Sequence, residues 1–241
     1  MSLNKQIVAW LDKTFYPEFQ DNWDNFYFRE LTLPYLDKDS TVILDLGAGR
    51  GALPQMNFRD LVKEAVGIDP EEAVHVNPYL HEAHVGFGDN MPFFTDGRFD
   101  VVVINNVLEH IKNANGFYAE VARITKSGGI VITKTPNLYH YMPLFSRFMP
   151  TSFHKWFNKM RGRPTEDTFP TQYEANTRTD QTRLAEANGF KVERFILREG
   201  RPEYLRFTFV TYLVGIVYER LINLLGLDTF KIVIFTVLRK S

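Results

Sequence analysis

Residues 42–51 read VILDLGAGRG: an apolar run, an acid at Asp45, then glycines at every second position, Gly47, Gly49 and Gly51. A short apolar run that ends in glycine reads as a strand buried on both faces, which is the signature of a parallel sheet. Glycines at its end let the chain turn sharply and let a ligand approach the backbone. The stretch also contains G-x-G-x-x-A (Gly47, Gly49, Ala52), so the pattern alone fits a dinucleotide, a mononucleotide phosphate or an adenosyl group without phosphate.

The flanking sequence alternates in the same manner. Ile7, Val8, Trp10, Leu11 and Phe15 predict a helix over 4–16, and a second is expected over 24–36, broken near Pro34. ALPQMNFRDLV (52–62) predicts a short helix with Pro54 in its first turn, where proline is tolerated. EAVGIDP ends a second strand at Asp69, EAHVGFGD predicts a third, FDVVVINN a fourth over 99–106, and GGIVITKT a fifth. A helix is expected over 108–124, with Phe117, Val121 and Ile124 on one face. Such β-α alternation argues for a parallel sheet with helices on both faces.

Beyond Pro136 the pattern loosens over 137–178, an aromatic- and proline-rich stretch of the kind that forms a lid or an inserted piece. RTDQTRLAEANGF then predicts a helix capped by Thr179 or Asp180, with Gly189 just past its end. FKVERFIL is a strand, EYLRFTFVTYLVGIVYERLINLLG a long apolar helix closed by Gly226, and TFKIVIFTVLRK a last strand. The apolar helix is almost long enough to span a bilayer, but Arg206, Glu219 and Arg220 lie in or beside it. That favours a buried helix crossing a sheet over a peripheral membrane contact.

With 241 residues the chain fits one domain: an N-terminal helical cap over 1–40, a ligand-binding half over 41–136, an acceptor-site insertion over 137–178, and the rest of the sheet over 179–241. A net charge of −1 gives no field that points to nucleic acid. The chain has no cysteine, which excludes disulfides and thiolate chemistry and agrees with a cytoplasmic protein. The first residues, MSLNKQIVAWLDK, lack the apolar core of a secretory signal, so none is expected. His75, His81 and His84 fit no metal-ligand spacing, and no metal is expected.

Open α/β sheets bind ligands beyond the C-terminal ends of their strands. Asp45, Asp69, Asp89 and Asn105 with Asn106 all fall at such ends and converge on one rim. A carboxylate at Asp45 repels a pyrophosphate and suits an ammonium or sulfonium. Asp69, followed by Pro70, is placed to accept from ribose hydroxyls. Asp89 is placed to accept from an adenine amino group, with the Asn90 and Met91 backbone alongside. Adenosine, a cation and no phosphate describe S-adenosylmethionine.

At this point the chain resembles the class I S-adenosylmethionine-dependent methyltransferases. VILDLGAGRG is similar to their first motif and GID to the acidic end of their second strand. GDNMPFFTDGRFDVVVINNVLEHI and EVARITKSGGIVITKTPN are similar to their later blocks, with Ser127 where proline is usual. The resemblance covers about residues 42–137 and implies a Rossmann-like fold: a seven-stranded, mostly parallel sheet with the last strand antiparallel. It implies that Asp45, Gly47, Ala48 and Gly49 line the methionine moiety, that Gly51 closes the turn, and that Asn106 passes the amino group and methyl. It implies S-adenosylhomocysteine as the product. Arg29 is a candidate partner for the cofactor carboxylate.

A hydroxyl acceptor benefits from a general base. His110, at a helix start after the fourth strand, is the first candidate, with His140, His154 and Tyr173 in the loose segment behind it. The basic cluster HKWFNKMRGRP at 154–164 suits a phosphate or an anionic lipid head group, against a solvated face as the default. These residues point to methylation, at oxygen, of a small-molecule, glycan or lipid-linked acceptor. The rivals are an NAD-dependent oxidoreductase, which Ala52 permits, and a catalytically silent module that keeps the fold to bind a partner.

Overall fold

The computed structural model describes residues 3–18, 21–146 and 170–241. Two compact units emerge. The larger comprises Asp24–Pro136, Thr171–Ile196 and Ile234–Ser241, and it contains the sheet. The smaller comprises Met1–Trp23, Asn137–Pro170 and Leu197–Val233. His154 and the basic cluster lie outside the described residues.

The strands are β1 (Val42–Leu46), β2 (Glu64–Asp69), β3 (Glu82–Val85), β4 (Phe99–Asn105), β5 (Thr125–Pro136), β6 (Phe190–Arg198) and β7 (Val233–Lys240). They form one seven-stranded sheet in the order β3-β2-β1-β4-β5-β7-β6. β1 to β5 pair in parallel, with Asp45 opposite Gly67 on one side and Val103 on the other. β7 runs antiparallel: Lys240 Nζ meets the Thr125 carbonyl at the start of β5, while the Asn137 N–H past its end meets the Ile232 carbonyl.

Alternation along each strand assigns the faces. Leu44, Leu46, Val66, Ile68, Val102, Ile104 and Val131 enter one core cluster with Phe117, Val121 and Ile124 of α3 (Ala114–Ile124) and with Leu184 and Ala185 of a later helix (Arg178–Ala187). Ile43, Asp45, Val101 and Val103 therefore face the other way. There α2 (Trp23–Thr32) contributes Phe28 and Leu31 to the interior.

Several boundaries differ from expectation for local reasons. The 52–62 stretch forms two 3₁₀ turns, Pro54–Met56 and Arg59–Leu61, instead of a helix. Arg29 Nη1 donates to the carbonyls of Gln55 at 2.9 Å and Asn57 at 2.7 Å, which a helix needs for its own ladder. The 108–124 helix begins only at Ala114, because Asn113 caps it by accepting from the Gly116 N–H; Leu108–His110 is a separate 3₁₀ turn. The cap of the Arg178–Ala187 helix is Thr177, which accepts from the Asp180 N–H, and not Thr179 or Asp180. Gly189, at φ +78°, and Gly226, at +64°, stand in the left-handed region past their helices, as the sequence indicates.

In the smaller unit, α1 (Leu3–Phe15) packs on the long helix Phe209–Leu224 through Leu11, Tyr16, Tyr212 and Ile216. Arg201 is buried among Asp12, Asp21 and Glu203. Tyr141–Ser146 forms a short helix, which completes the described helices as α4, with Arg178–Ala187 as α5 and Phe209–Leu224 as α6. α6 is not the buried crossover helix expected: Tyr212, Ile216, Glu219 and Ile222 are buried, while Val210, Val214, Val217, Leu221 and Leu224 are exposed. Among the described residues, no helix is long and apolar enough to cross a membrane.

Replacing Thr177 with Ala removes the α5 cap and is expected to lower unfolding free energy by about 1 kcal/mol. Thr177→Ser should restore it. Urea denaturation measures both, and an unchanged midpoint in Thr177→Ala would refute the capping role.

Candidate cofactor site

β1 delivers Asp45 and then the glycine turn. Gly47 has φ +86°, and a Cβ there would fall 2.3 Å from Val107 Cγ2. Gly51 has φ +78°, and its Cβ would fall 2.6 Å from Asn77 Oδ1 and 2.8 Å from Pro78 Cδ. A side chain at either position meets both backbone strain and a collision. The turn is pinned from outside. Asn77 Nδ2 donates to the carbonyls of Ala48 at 3.0 Å and Gly49 at 3.1 Å, and the Gly49 N–H donates to Asp69 Oδ2 at 2.9 Å.

These residues enclose a cavity of about 180 Å³ lined by Asp45, Gly47 to Leu53, Met56, Asn77, Tyr79 and Asn105. Asp45 is buried, and among the described residues no donor bonds its carboxylate. Burial, with the Asp69 charge added, pushes its pKa up to about 7. Asn105 presents a second acceptor: its Oδ1 is buried with no hydrogen-bond partner among the described residues. Two unanswered acceptors on one cavity call for a ligand that donates.

Of the predicted cofactor residues, the structure brings Asp45, Gly47, Ala48, Gly49, Gly51 and Asn105 together around this cavity. Asp69 stands behind the loop and also accepts from the Glu71 N–H at 3.0 Å; Pro70 follows it, half-buried. Asn106 lies just past β4 in the left-handed region, at φ +55°, uncommon for a residue with a side chain. Asp89 and Asn90 are exposed, outside the cavity lining. The Met91 side chain is fully buried in the core, and its N–H already donates to Glu120 Oε1 at 2.7 Å. Arg29 is engaged by the Gln55 and Asn57 carbonyls and lies 5.0 Å above the Phe58 ring, so the structure gives it a loop-anchoring role where a carboxylate partner was expected.

The candidate bases separate. His110 ends its 3₁₀ turn half-buried. Tyr173 lies beside that turn, since its N–H and that of Gln172 donate to the Glu109 carbonyl at 3.2 and 2.6 Å. Glu109 itself is buried, its carboxyl pKa raised by desolvation and its Oε2 accepting from Thr135 Oγ1. His140 belongs to the smaller unit and is 1% exposed. Burial pushes its pKa down to about 3, and its ring packs against Tyr141 and Tyr218. The expectation of a catalytic His140 is corrected on that ground: a sealed imidazole reaches no acceptor. His81 Nδ1 accepts from the Ala65 N–H, and His84 stacks on Phe93. Among the described residues no cluster of His, Cys, Asp or Glu is arranged to hold a metal.

The geometry weighs on the dinucleotide rival. A pyrophosphate takes its favourable field from the N-terminus of the helix after the glycine loop. Here that loop leads into a 3₁₀ turn, Pro54–Met56, and a buried carboxylate stands at its base.

Sequence reading missed Asn77, Tyr79 and Met56 in the lining. For Asn77 a signal existed, since Asn-Pro initiates turns.

Sheet order and loop together define a Rossmann-like fold of the class I methyltransferase type. The chain belongs to the methyltransferase-domain family, whose family model matches residues 21–194. This bears out the resemblance to the S-adenosylmethionine-dependent class and its cofactor. A protein of Mycolicibacterium smegmatis described as "Probable S-adenosylmethionine-dependent methyltransferase" is 28% identical over 131 residues, 50% of this chain and 49% of its own. A ubiquinone biosynthesis O-methyltransferase of Maricaulis maris is 32% identical over 107 residues, 39% of this chain and 40% of its own. The chain thus spans about half the length, or less, of these curated relatives. Geranyl diphosphate C-methyltransferase from Streptomyces coelicolor, crystallised with Mg2+, geranyl diphosphate and S-adenosyl-L-homocysteine, shares the fold at TM-score 0.57 and 14% identity, over 88% of this chain and 76% of its own.

The raised Asp45 pKa has a signed consequence. The folded protein holds the Asp45 proton more tightly than the unfolded chain, so this group's stabilisation is present below the ordinary value of 3.8 and is lost as pH rises through about 7. Asp45→Asn is therefore expected to be more stable than wild type at pH 8, with the gap closing toward pH 4. Denaturation curves at both pH values measure it, and a pH-independent gap would contradict the assignment.

Proposed function

We propose that this chain is an S-adenosylmethionine-dependent methyltransferase acting at oxygen on a small-molecule, glycan or lipid-linked acceptor. One observation carries the cofactor side: the buried, unbonded Asp45 carboxylate beside the orphaned Asn105 Oδ1 at a left-handed glycine loop. An α-ammonium donates to both and supplies the charge that Asp45 lacks. When bound, S-adenosylmethionine supplies an electrophilic methyl on a sulfonium. The chain's own residues hold and orient that donor, and positioning contributes much of the acceleration.

Asp69 uses one lone pair of each oxygen on the Gly49 and Glu71 N–H groups and keeps others for ribose hydroxyls. Asp89 and Asn90 take the adenine edge in this reading. His110, half-buried just past β4, is the base that takes the acceptor's proton, and Tyr173 borders it. Oxygen as the acceptor atom is supported by this histidine and by the likeness to an O-methyltransferase of Maricaulis maris.

Calorimetry with S-adenosylhomocysteine beside NADH tests the reading. Saturable binding of the first alone is expected, tightening as pH rises from 6 to 8 while Asp45 ionises. In Asp45→Asn that pH dependence should vanish and affinity fall by about tenfold or more, the loss of a charge-assisted hydrogen bond. Binding of NADH alone would overturn the reading, and binding of neither by folded protein would favour a silent module.

A further inference from the structure

Asn105 and Lys134 are register partners on β4 and β5, so their side chains leave the sheet on the same face. The Lys134 side chain is buried, and Nζ lies 2.6 Å from Asp24 Oδ2 and 2.7 Å from Asn25 Oδ1. A lysine ammonium only donates, so the Asn25 atom that faces it is oxygen. That same oxygen lies 3.0 Å from the Asn105 amide, so the Asn105 atom that faces it is nitrogen. Met56 Sδ, 3.3 Å from that nitrogen, is likewise an acceptor. Each contact fixes the next, and the end of the chain is an Asn105 whose nitrogen is committed and whose oxygen is unanswered.

We infer that Asn25 and Lys134 are positioning residues, which hold the Asn105 amide with its oxygen free for the ligand's amino group and so select an amino-acid-bearing nucleoside. This rests on the cofactor reading proposed above. Without the Lys134 donor, the Asn25 amide is free to turn its nitrogen toward Asn105. Asn105 would then reverse and present its own NH₂ to the ammonium, donor against donor. Asp45 accepts from the ammonium and attracts it by charge, a demand that any cationic donor would meet. The relay adds directional discrimination, and it touches neither the adenosine nor the thioether.

The test compares two probes on the full chain by calorimetry: S-adenosylhomocysteine, and 5′-methylthioadenosine, which shares the nucleoside and sulfur but lacks the amino acid. Lys134→Met should weaken S-adenosylhomocysteine about tenfold, as expected for a hydrogen bond to a charged group, and leave methylthioadenosine unchanged. Asn25→Leu should do the same and serves if the lysine variant does not fold. Asn25→Asp keeps an acceptor toward both neighbours and should retain wild-type affinity. Lys134→Met added to Asn105→Leu should cost nothing further, since both act through one atom. Equal losses for the two probes, additive losses in the double variant, or a loss in Asn25→Asp would overturn the relay while leaving the cofactor reading intact. Wild type that binds methylthioadenosine but not S-adenosylhomocysteine, or neither, would overturn both.

Discussion

The amide of Asn77 holds the site in shape. It takes the carbonyls of Ala48 and Gly49, while Asp69 takes the Gly49 N–H from the other side. Turn carbonyls and amides that water would otherwise solvate are thus fixed by side chains from one neighbouring segment. The loop is then tight enough that a Cβ at Gly51 would collide with Asn77 and Pro78, and one at Gly47 with Val107 beyond β4. Asn106, in the left-handed region, immediately precedes Val107. The ends of β1, β2 and β4 therefore meet at this loop.

Electrostatics at the rim oppose folding. Among the described residues no donor bonds the buried Asp45 carboxylate, and burial, with the Asp69 charge added, raises its pKa to about 7. An apolar residue would pack between Gly67 and Val103 at less cost. Local rules that a sequence breaks without structural gain mark functional positions. A cation reverses the sign of the penalty at Asp45, whereas a phosphate adds to it. Under the cofactor reading proposed above, this carboxylate favours an aminoacyl nucleoside over a dinucleotide.

The strands were legible because parallel strands buried on both faces read as unbroken apolar runs, and the acids and amides at their ends mark the rim. What the sequence hid depends on distant partners. The 52–62 stretch has helical spacing, yet Arg29 removes the carbonyls a helix there needs. The apolar content of α6 argued for burial, but one face stays exposed. For Asn77 the Asn-Pro pair marks a turn, but its bonds to the Ala48 and Gly49 carbonyls are set by the fold around it. Arg29 has the right chemistry for a carboxylate, and its burial against Phe58 and two carbonyls was invisible in the sequence.

The two histidines nearest the motifs show why residue type alone does not select a base. A general base must touch the group it deprotonates, and it must gain and lose a proton at working pH. His140 fails both conditions: it is sealed among Tyr141, Tyr204 and Tyr218, and desolvation holds its pKa near 3. His110 is half-buried at the end of a turn whose own carbonyl, at Glu109, anchors Gln172 and Tyr173. Gln172 and Tyr173 are thereby tied to the turn that follows Asn105 and Asn106. His110 follows in the chain the Glu109 whose carbonyl holds the Tyr173 N–H. Burial and surroundings, and not residue type, thus separate the two histidines as candidates.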